Sequence, residues 1–243
     1  MSTTVPAAPP HPPVWGADAY AEALRNGRGP LYLRRTDGWL LPLDVERWCA
    51  AADEADLAAL GRCEGTVLDI GCGPGRLVAA LTAQGRRVLG IDVSPAAVAR
   101  TAAAGGAALC RSVFDSLPDE GSWGTALLLD GNIGIGGDPR TLLARTAALV
   151  HPAGLLIVET APADVDERAR VSVAGDPYAG HHTADPFPWA RVGTPALLRY
   201  ADAAGWTPVE RWTAGGRRSQ SPSAARCFVA LRRRRSLPTA RRG

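Results

Sequence analysis

The sequence predicts a doubly wound α/β fold: a seven-stranded, mostly parallel sheet with an antiparallel last strand and helices on both faces. Three observations predict it. From Gly65 onward, short β-rich apolar runs alternate with helical segments, the pattern of repeated βαβ units. A glycine-rich turn joins the first of these strands to its helix. The last two strands are joined by AGGRRSQSPSAAR, residues 214–226, which carries no helical pattern and so suits an antiparallel hairpin, since a parallel crossover usually brings a helix.

Taken in order, residues 1–14 hold many prolines and little apolar surface, and are expected to be an unstructured lead. Residues 15–60 read as a helical, lid-like segment: ADAYAEALRNG ends on Gly27 and LDVERWCAAADEADLAAL runs into Gly61, with the aromatic, turn-containing LYLRRTDGWLLP between them. The main domain is expected over 61–232. Its candidate strands are 66–71, 87–92, 107–113, 125–130, 154–160, 207–213 and 227–232. The helices between them begin on recognisable punctuation, with Pro95, Pro139 and Pro195 at starts where a missing N–H costs nothing. Residues 162–193 form a long acceptor-side insertion, and 233–243 an Arg-rich tail expected to be disordered.

The charge balance bears on partners. Six of the 27 basic residues lie in 232–243, leaving a mildly acidic body against its 24 acids. A nucleic-acid enzyme spreads positive charge over its working face, so this distribution argues against that class. The five cysteines form no CxxC pair and read as reduced thiols. No apolar stretch approaches the roughly 20 residues of a membrane helix. A cytoplasmic protein is expected.

The chemistry concentrates in VLDIGCGPGR, residues 67–76. An apolar strand ends in Asp69, and Gly71, Gly73 and Gly75 then let the backbone turn tightly beside a ligand. Dinucleotide sites use the same turn, but a carboxylate on the last turn of the strand would repel a pyrophosphate. S-adenosylmethionine carries no phosphate. Asp69 can hold its amino group, or order the loop that does, while loop amides face its carboxylate. Asp92 ends the second strand 17 residues beyond Gly75, where it can accept both ribose hydroxyls while Val93 packs on the adenine. Ser94 suits the helix cap that is the structural alternative for Asp92.

At these residues the chain resembles the class I S-adenosylmethionine-dependent methyltransferases, over roughly 60–232. VLDIGCGPG is similar to that family's first motif, VLGIDVS to its second, and LVHPAGLLIVE to its turn and fifth strand. The resemblance implies a Rossmann-like sheet, donor binding by Asp69, Gly71, Gly73, Gly75 and Asp92, and release of S-adenosylhomocysteine. Many members carry Asp at the end of the third strand for the adenine amino group; here the position offers Ser112 and Val113, with Asp115 exposed or capping a turn. After the fourth strand, Asp130 and Asn132 in LLLDGNIGIGGDP resemble a Gly-Asn variant of small-molecule members, not the motifs of nucleobase methylases.

Methyl transfer is an in-line displacement that needs alignment and, for some acceptors, a base. Candidates are Asp130, His181, His182 and Glu159. Tyr178, His181, His182, Phe187 and Trp189, with Tyr32 and Trp39, supply material for a partly apolar acceptor pocket. His181, His182 and Asp185 lack a convincing fourth ligand, so no metal is expected. The reading is a methyltransferase for a small-molecule O, N or C acceptor. Its rivals are an NAD(P)-dependent oxidoreductase, an RNA or protein methylase anchored by the basic tail, and a donor-binding sensor without turnover.

Overall fold

The structure, a computed structural model, describes residues 17–175, 185–215 and 225–234. Among these the strands form two sheets. The larger contains β3 (Val67–Ile70), β4 (Val88–Asp92), β5 (Ala108–Cys110), β6 (Trp123–Leu128), β7 (Val150–Thr160), β10 (Trp206–Ala214) and β11 (Arg226–Arg233), in the order β10-β11-β7-β6-β3-β4-β5. β3, β4, β5, β6 and β7 run parallel, while β11 lies antiparallel between β7 and β10. All seven expected strands are present, and the last two pair antiparallel.

Alternation along the central strands sends their side chains into two cores. Leu68, Ile70, Ala126, Leu128, Leu156 and Val158 pack on one face, against α6 (Pro139–Leu149) and α7 (Thr194–Ala203). Val67, Leu127, Leu155 and Ile157 fill the other, against α3 (Glu54–Leu60) and α4 (Arg76–Ala83). α5 (Pro95–Ala103) begins on Ser94, whose hydroxyl accepts from the Ala97 amide, so the cap is the serine and Asp92 is left for other work. No helix among the described residues is long and apolar enough to cross a membrane.

The smaller sheet departs from expectation. The segment read as helical between 15 and 60 does contain α1 (Ala17–Asn26), but LYLRRTDGWLLP folds as an antiparallel hairpin of β1 (Tyr32–Arg35) and β2 (Leu40–Pro42). The helix expected to run to Gly61 is two, α2 (Val45–Cys49) and α3, because Asp53 and Asp56 form a reciprocal cap that restarts the chain. The described parts of the insertion at 162–193 form strands: β8 (Asp166–Ala174) and β9 (Phe187–Val192) pair antiparallel, and β8 also pairs with β1. The resulting order β2-β1-β8-β9 makes a sheet from pieces that lie more than 100 residues apart in sequence. The third expected strand stops at Cys110, so Ser112 and Val113 lie in the following turn.

Candidate active site

The glycine turn is fixed almost entirely by internal hydrogen bonds. The Gly71 and Cys72 amides donate to the Ile91 carbonyl at 2.8 and 3.0 Å, and the Gly75 amide to the Cys72 carbonyl at 3.1 Å. The Gly73 amide donates to Asp92 Oδ2 at 2.9 Å, and Pro74 has no N–H. The amides of residues 71–75 are therefore engaged within the protein, while α4, which follows, has no side-chain cap on its first turn. Gly75 is required twice over: its φ is +89°, and a Cβ there would sit 2.5 Å from Thr101 Oγ1.

Asp92 stands where the second strand ends. Its Oδ2 accepts from Gly73 and its Oδ1 from the Ser94 amide at 2.8 Å, so each oxygen keeps lone-pair capacity for a further donor. Burial pushes its pKa up, offset in part by the Ser94 and Gly73 amides. Val93 beside it is 38% exposed, an apolar surface left open next to a hydrogen-bonding carboxylate. Ser112 is engaged locally, its amide donating to Asp115 Oδ2 at 3.0 Å and its hydroxyl accepting from Phe114 N at 3.2 Å.

Asp69 follows the alternation of β3 onto the side of Val67, the face covered by α3 and α4, and not onto the cavity wall. It is 1% exposed, and its Oδ2 has no hydrogen-bond partner. Burial raises its pKa to about 7, with Arg76 pulling it down and the Asp130, Asp92 and Asp56 carboxylates pushing it further up.

Beneath the turn lies an ionic network that the sequence reading missed. Arg76, the residue after the last glycine, donates to Asp56 from Nε at 2.8 Å and Nη2 at 2.9 Å, and to Asp130 Oδ2 from Nη1 at 2.7 Å. Arg226 donates to Glu159 through Nε and Nη2, both at 2.8 Å, and to Asp56 Oδ1 at 2.8 Å. Arg47 donates from Nη2 to Asp130 Oδ1 at 2.6 Å. Burial would raise the pKa of Asp56 and of Asp130, but the surrounding guanidinium groups outweigh it and hold both well ionised. A carboxylate held this way is a poor proton acceptor, so the structure places Asp130 as a fixed anion at left-handed φ of 56°. Glu159 is bound into the same network, and His181, His182 and Tyr178 lie outside the described residues.

Asn132 donates from Nδ2 to the Ile70 and Gly71 carbonyls at 2.9 and 3.0 Å, tying the chain after β6 to the glycine turn. Its side chain, the turn, Asp92, Val93, Ser112, Val113 and Asp130 all border one open cavity. The opposite wall is Tyr20, Leu33, Leu43, Trp48 and Trp189, brought by α1, α2 and the small sheet. Of the aromatic residues expected here, Trp189 lines this wall; Tyr32 and Trp39 do not. Trp48 Nε1 and Arg47 Nη1 are buried without partners. Neither Trp48 nor Tyr20 was legible, because each reaches the site only through the folding of the N-terminal segment back over the large sheet.

Residues 67–154 match the family model described as "Methyltransferase domain". Over these residues the chain matches a methyltransferase domain, in keeping with the resemblance of its glycine motif to the class I enzymes. The fold of the chain is similar to a SAM-dependent methyltransferase from Bacteroides fragilis crystallised with S-adenosyl-L-homocysteine, at 19% identity and TM-score 0.69, covering 91% of this chain and 95% of that one. It is also similar to the Burkholderia thailandensis 1,6-didemethyltoxoflavin-N1-methyltransferase, at 23% identity and TM-score 0.54 over 76% and 79% of the two chains. A third likeness is to the sugar N-methyltransferase KedS8 from Streptoalloteichus, at 18% identity and TM-score 0.52 over 77% and 88%. At these identities the likenesses establish the fold. No curated protein matches the chain significantly in sequence.

Proposed function

We propose that this methyltransferase-family enzyme binds S-adenosylmethionine between the glycine turn and Asp92, and transfers its methyl in line to a small organic acceptor, releasing S-adenosylhomocysteine. The observation that carries the reading is the turn itself. The amides of residues 71–75 are spent inside the protein, and Asp69 and Asp92, which make no ion pair with a guanidinium among the described residues, lie beside the turn, which suits a cationic amino-acid sulfonium better than a pyrophosphate.

The cofactor supplies an electrophilic methyl on sulfur. On the protein side, Asp92 accepts the ribose hydroxyls, Val93 covers one face of the adenine, and the turn after Cys110, with Ser112 and Val113, borders the ring. Gly71, Gly73 and Gly75 allow the close approach, Asn132 holds the turn in place, and the unsatisfied Asp69 Oδ2 beneath it favours a positive group above. The unpartnered Nε1 of Trp48, which lines the cavity, fits the donor's carboxylate. Asp130, neutralised by arginines, acts as part of the frame and not as a base.

A small acceptor fits the space between the two sheets and the acceptors named for the fold neighbours, a toxoflavin precursor and a sugar. The mildly acidic body does not suit nucleic acid. A cytoplasmic location belongs to the same reading and rests on the free thiols.

Thermal denaturation of the purified chain tests the donor site. S-adenosylhomocysteine at about 100 times its Kd adds about 2.7 kcal/mol, a rise in Tm on the order of 5–10 °C for a chain of this size, and NAD leaves Tm unchanged. Stabilisation by NAD alone overturns the reading.

A further inference from the structure

A second, much smaller pocket shares Leu33 and Trp189 with the donor cavity. Its lining follows strand register. Arg35 sits two residues beyond Leu33 on β1, Ala169 pairs with Trp189, and Glu167 pairs with Arg191, so all project from one face of the small sheet. The groove therefore runs from the donor cavity past Trp189 along that face, and Arg191 lies about 7 Å farther along β9 than Trp189.

Its chemistry changes along the way. Near the junction it is apolar, through Leu33, Leu41, Ala169 and Val171. At the far end the Arg35 and Arg191 guanidiniums lie 5.7 and 5.0 Å from the Trp39 ring centroid. Arg35 Nη2 donates to Asp37 at 2.6 Å and Arg191 Nη1 to Glu167 at 2.9 Å, which leaves most of the five N–H donors of each arginine open. Of the charged groups that line the groove, two are cationic and one is anionic, while Asp37 is half exposed outside it.

We propose that the methyl acceptor is an apolar or aromatic molecule carrying an acidic group, its body on the Leu33–Trp189 strip and its anion on Arg35 and Arg191. The assignment rests on the donor-site reading above, because it requires the transferred methyl to lie on the donor side of Trp189. Arg35 and Arg191 would then select among acceptors without touching the reacting atoms.

The test uses the full chain saturated with S-adenosylhomocysteine, with 2-naphthoate as the probe and its neutral amide, 2-naphthamide, as the control, both titrated by calorimetry. Naphthoate is expected to bind about tenfold more tightly than the amide, and Arg35→Gln with Arg191→Gln to abolish that preference while leaving S-adenosylhomocysteine affinity unchanged. Glu167→Gln frees Arg191 from its partner and is expected to tighten naphthoate severalfold, a gain that damaged folding cannot produce. Equal binding of acid and amide by the wild-type chain, or no tightening by Glu167→Gln, overturns the proposal. Failure to bind S-adenosylhomocysteine contradicts the donor site instead, and the same titrations on the ligand-free chain still decide the groove.

Discussion

Asp69 and Asp92 sit two strand ends apart and are used differently by the fold. Asp69 is sealed under the turn with an unsatisfied oxygen, and its folded pKa is raised to about 7. A carboxyl whose pKa is raised by folding contributes stability while protonated; the contribution is complete below about pH 4 and disappears as the pH climbs through about 7. Ligand-free wild-type protein should therefore lose about 2 kcal/mol relative to Asp69→Asn between pH 5 and pH 8, read as urea midpoints. A difference independent of pH would show that the carboxyl ionises as readily as in water. The same substitution should weaken S-adenosylhomocysteine binding above pH 7, where the wild-type anion acts through the turn on the donor's ammonium without touching it. Asp92, with lone pairs left on both oxygens, makes direct contacts in the proposed donor site, so Asp92→Ala should cost roughly 1–3 kcal/mol of S-adenosylhomocysteine affinity by calorimetry. Unchanged affinity would remove it from the ribose.

At the scale of elements, the glycine turn and the start of α4 are held by Arg76 against Asp56 and Asp130. Asp56 is fully buried, so Arg76→Ala leaves its charge under-compensated and should destabilise the chain by about 3–5 kcal/mol; a denaturation midpoint within experimental error of wild type would contradict this. The turn itself was legible in the sequence because its requirements are local: an apolar strand, glycines at the tight bends, a carboxylate after the next strand. The ion network was not, since Asp56, Asp130, Glu159 and Arg226 come from separate elements and only the folded chain brings them to Arg76. Asp130 illustrates the limit. A carboxylate at the end of the fourth strand reads as a candidate base until its guanidinium neighbours are seen. The large sheet was readable for a different reason: buried parallel strands such as Leu127 and Leu128 or Leu156 and Ile157 are continuous apolar runs. The small sheet escaped because β1 is only four residues long, with two arginines, and because β8 carries charge on much of its length.

Among the described residues two sheets close on a common cavity, the large one supplying the proposed donor side and the small one the proposed acceptor side. Their contact runs through the turn of 3₁₀ helix at Asn132–Gly134, where a Cβ on Gly134 would lie 2.2 Å from the Ala190 carbonyl and 2.8 Å from the Trp189 ring. Gly134→Ala must push β9 away. It should weaken naphthoate binding more than S-adenosylhomocysteine binding, and a larger effect on the donor would mean that the two walls are not separable in this way. The account as a whole is tested most directly by a crystal structure of the chain grown with S-adenosylhomocysteine. It predicts the ribose hydroxyls on the Asp92 carboxylate, the adenine against Val93 and the amino-acid end over Gly71–Gly73 toward Trp48. Density for the ligand elsewhere, or a dinucleotide pyrophosphate seated on the glycine turn, would contradict it.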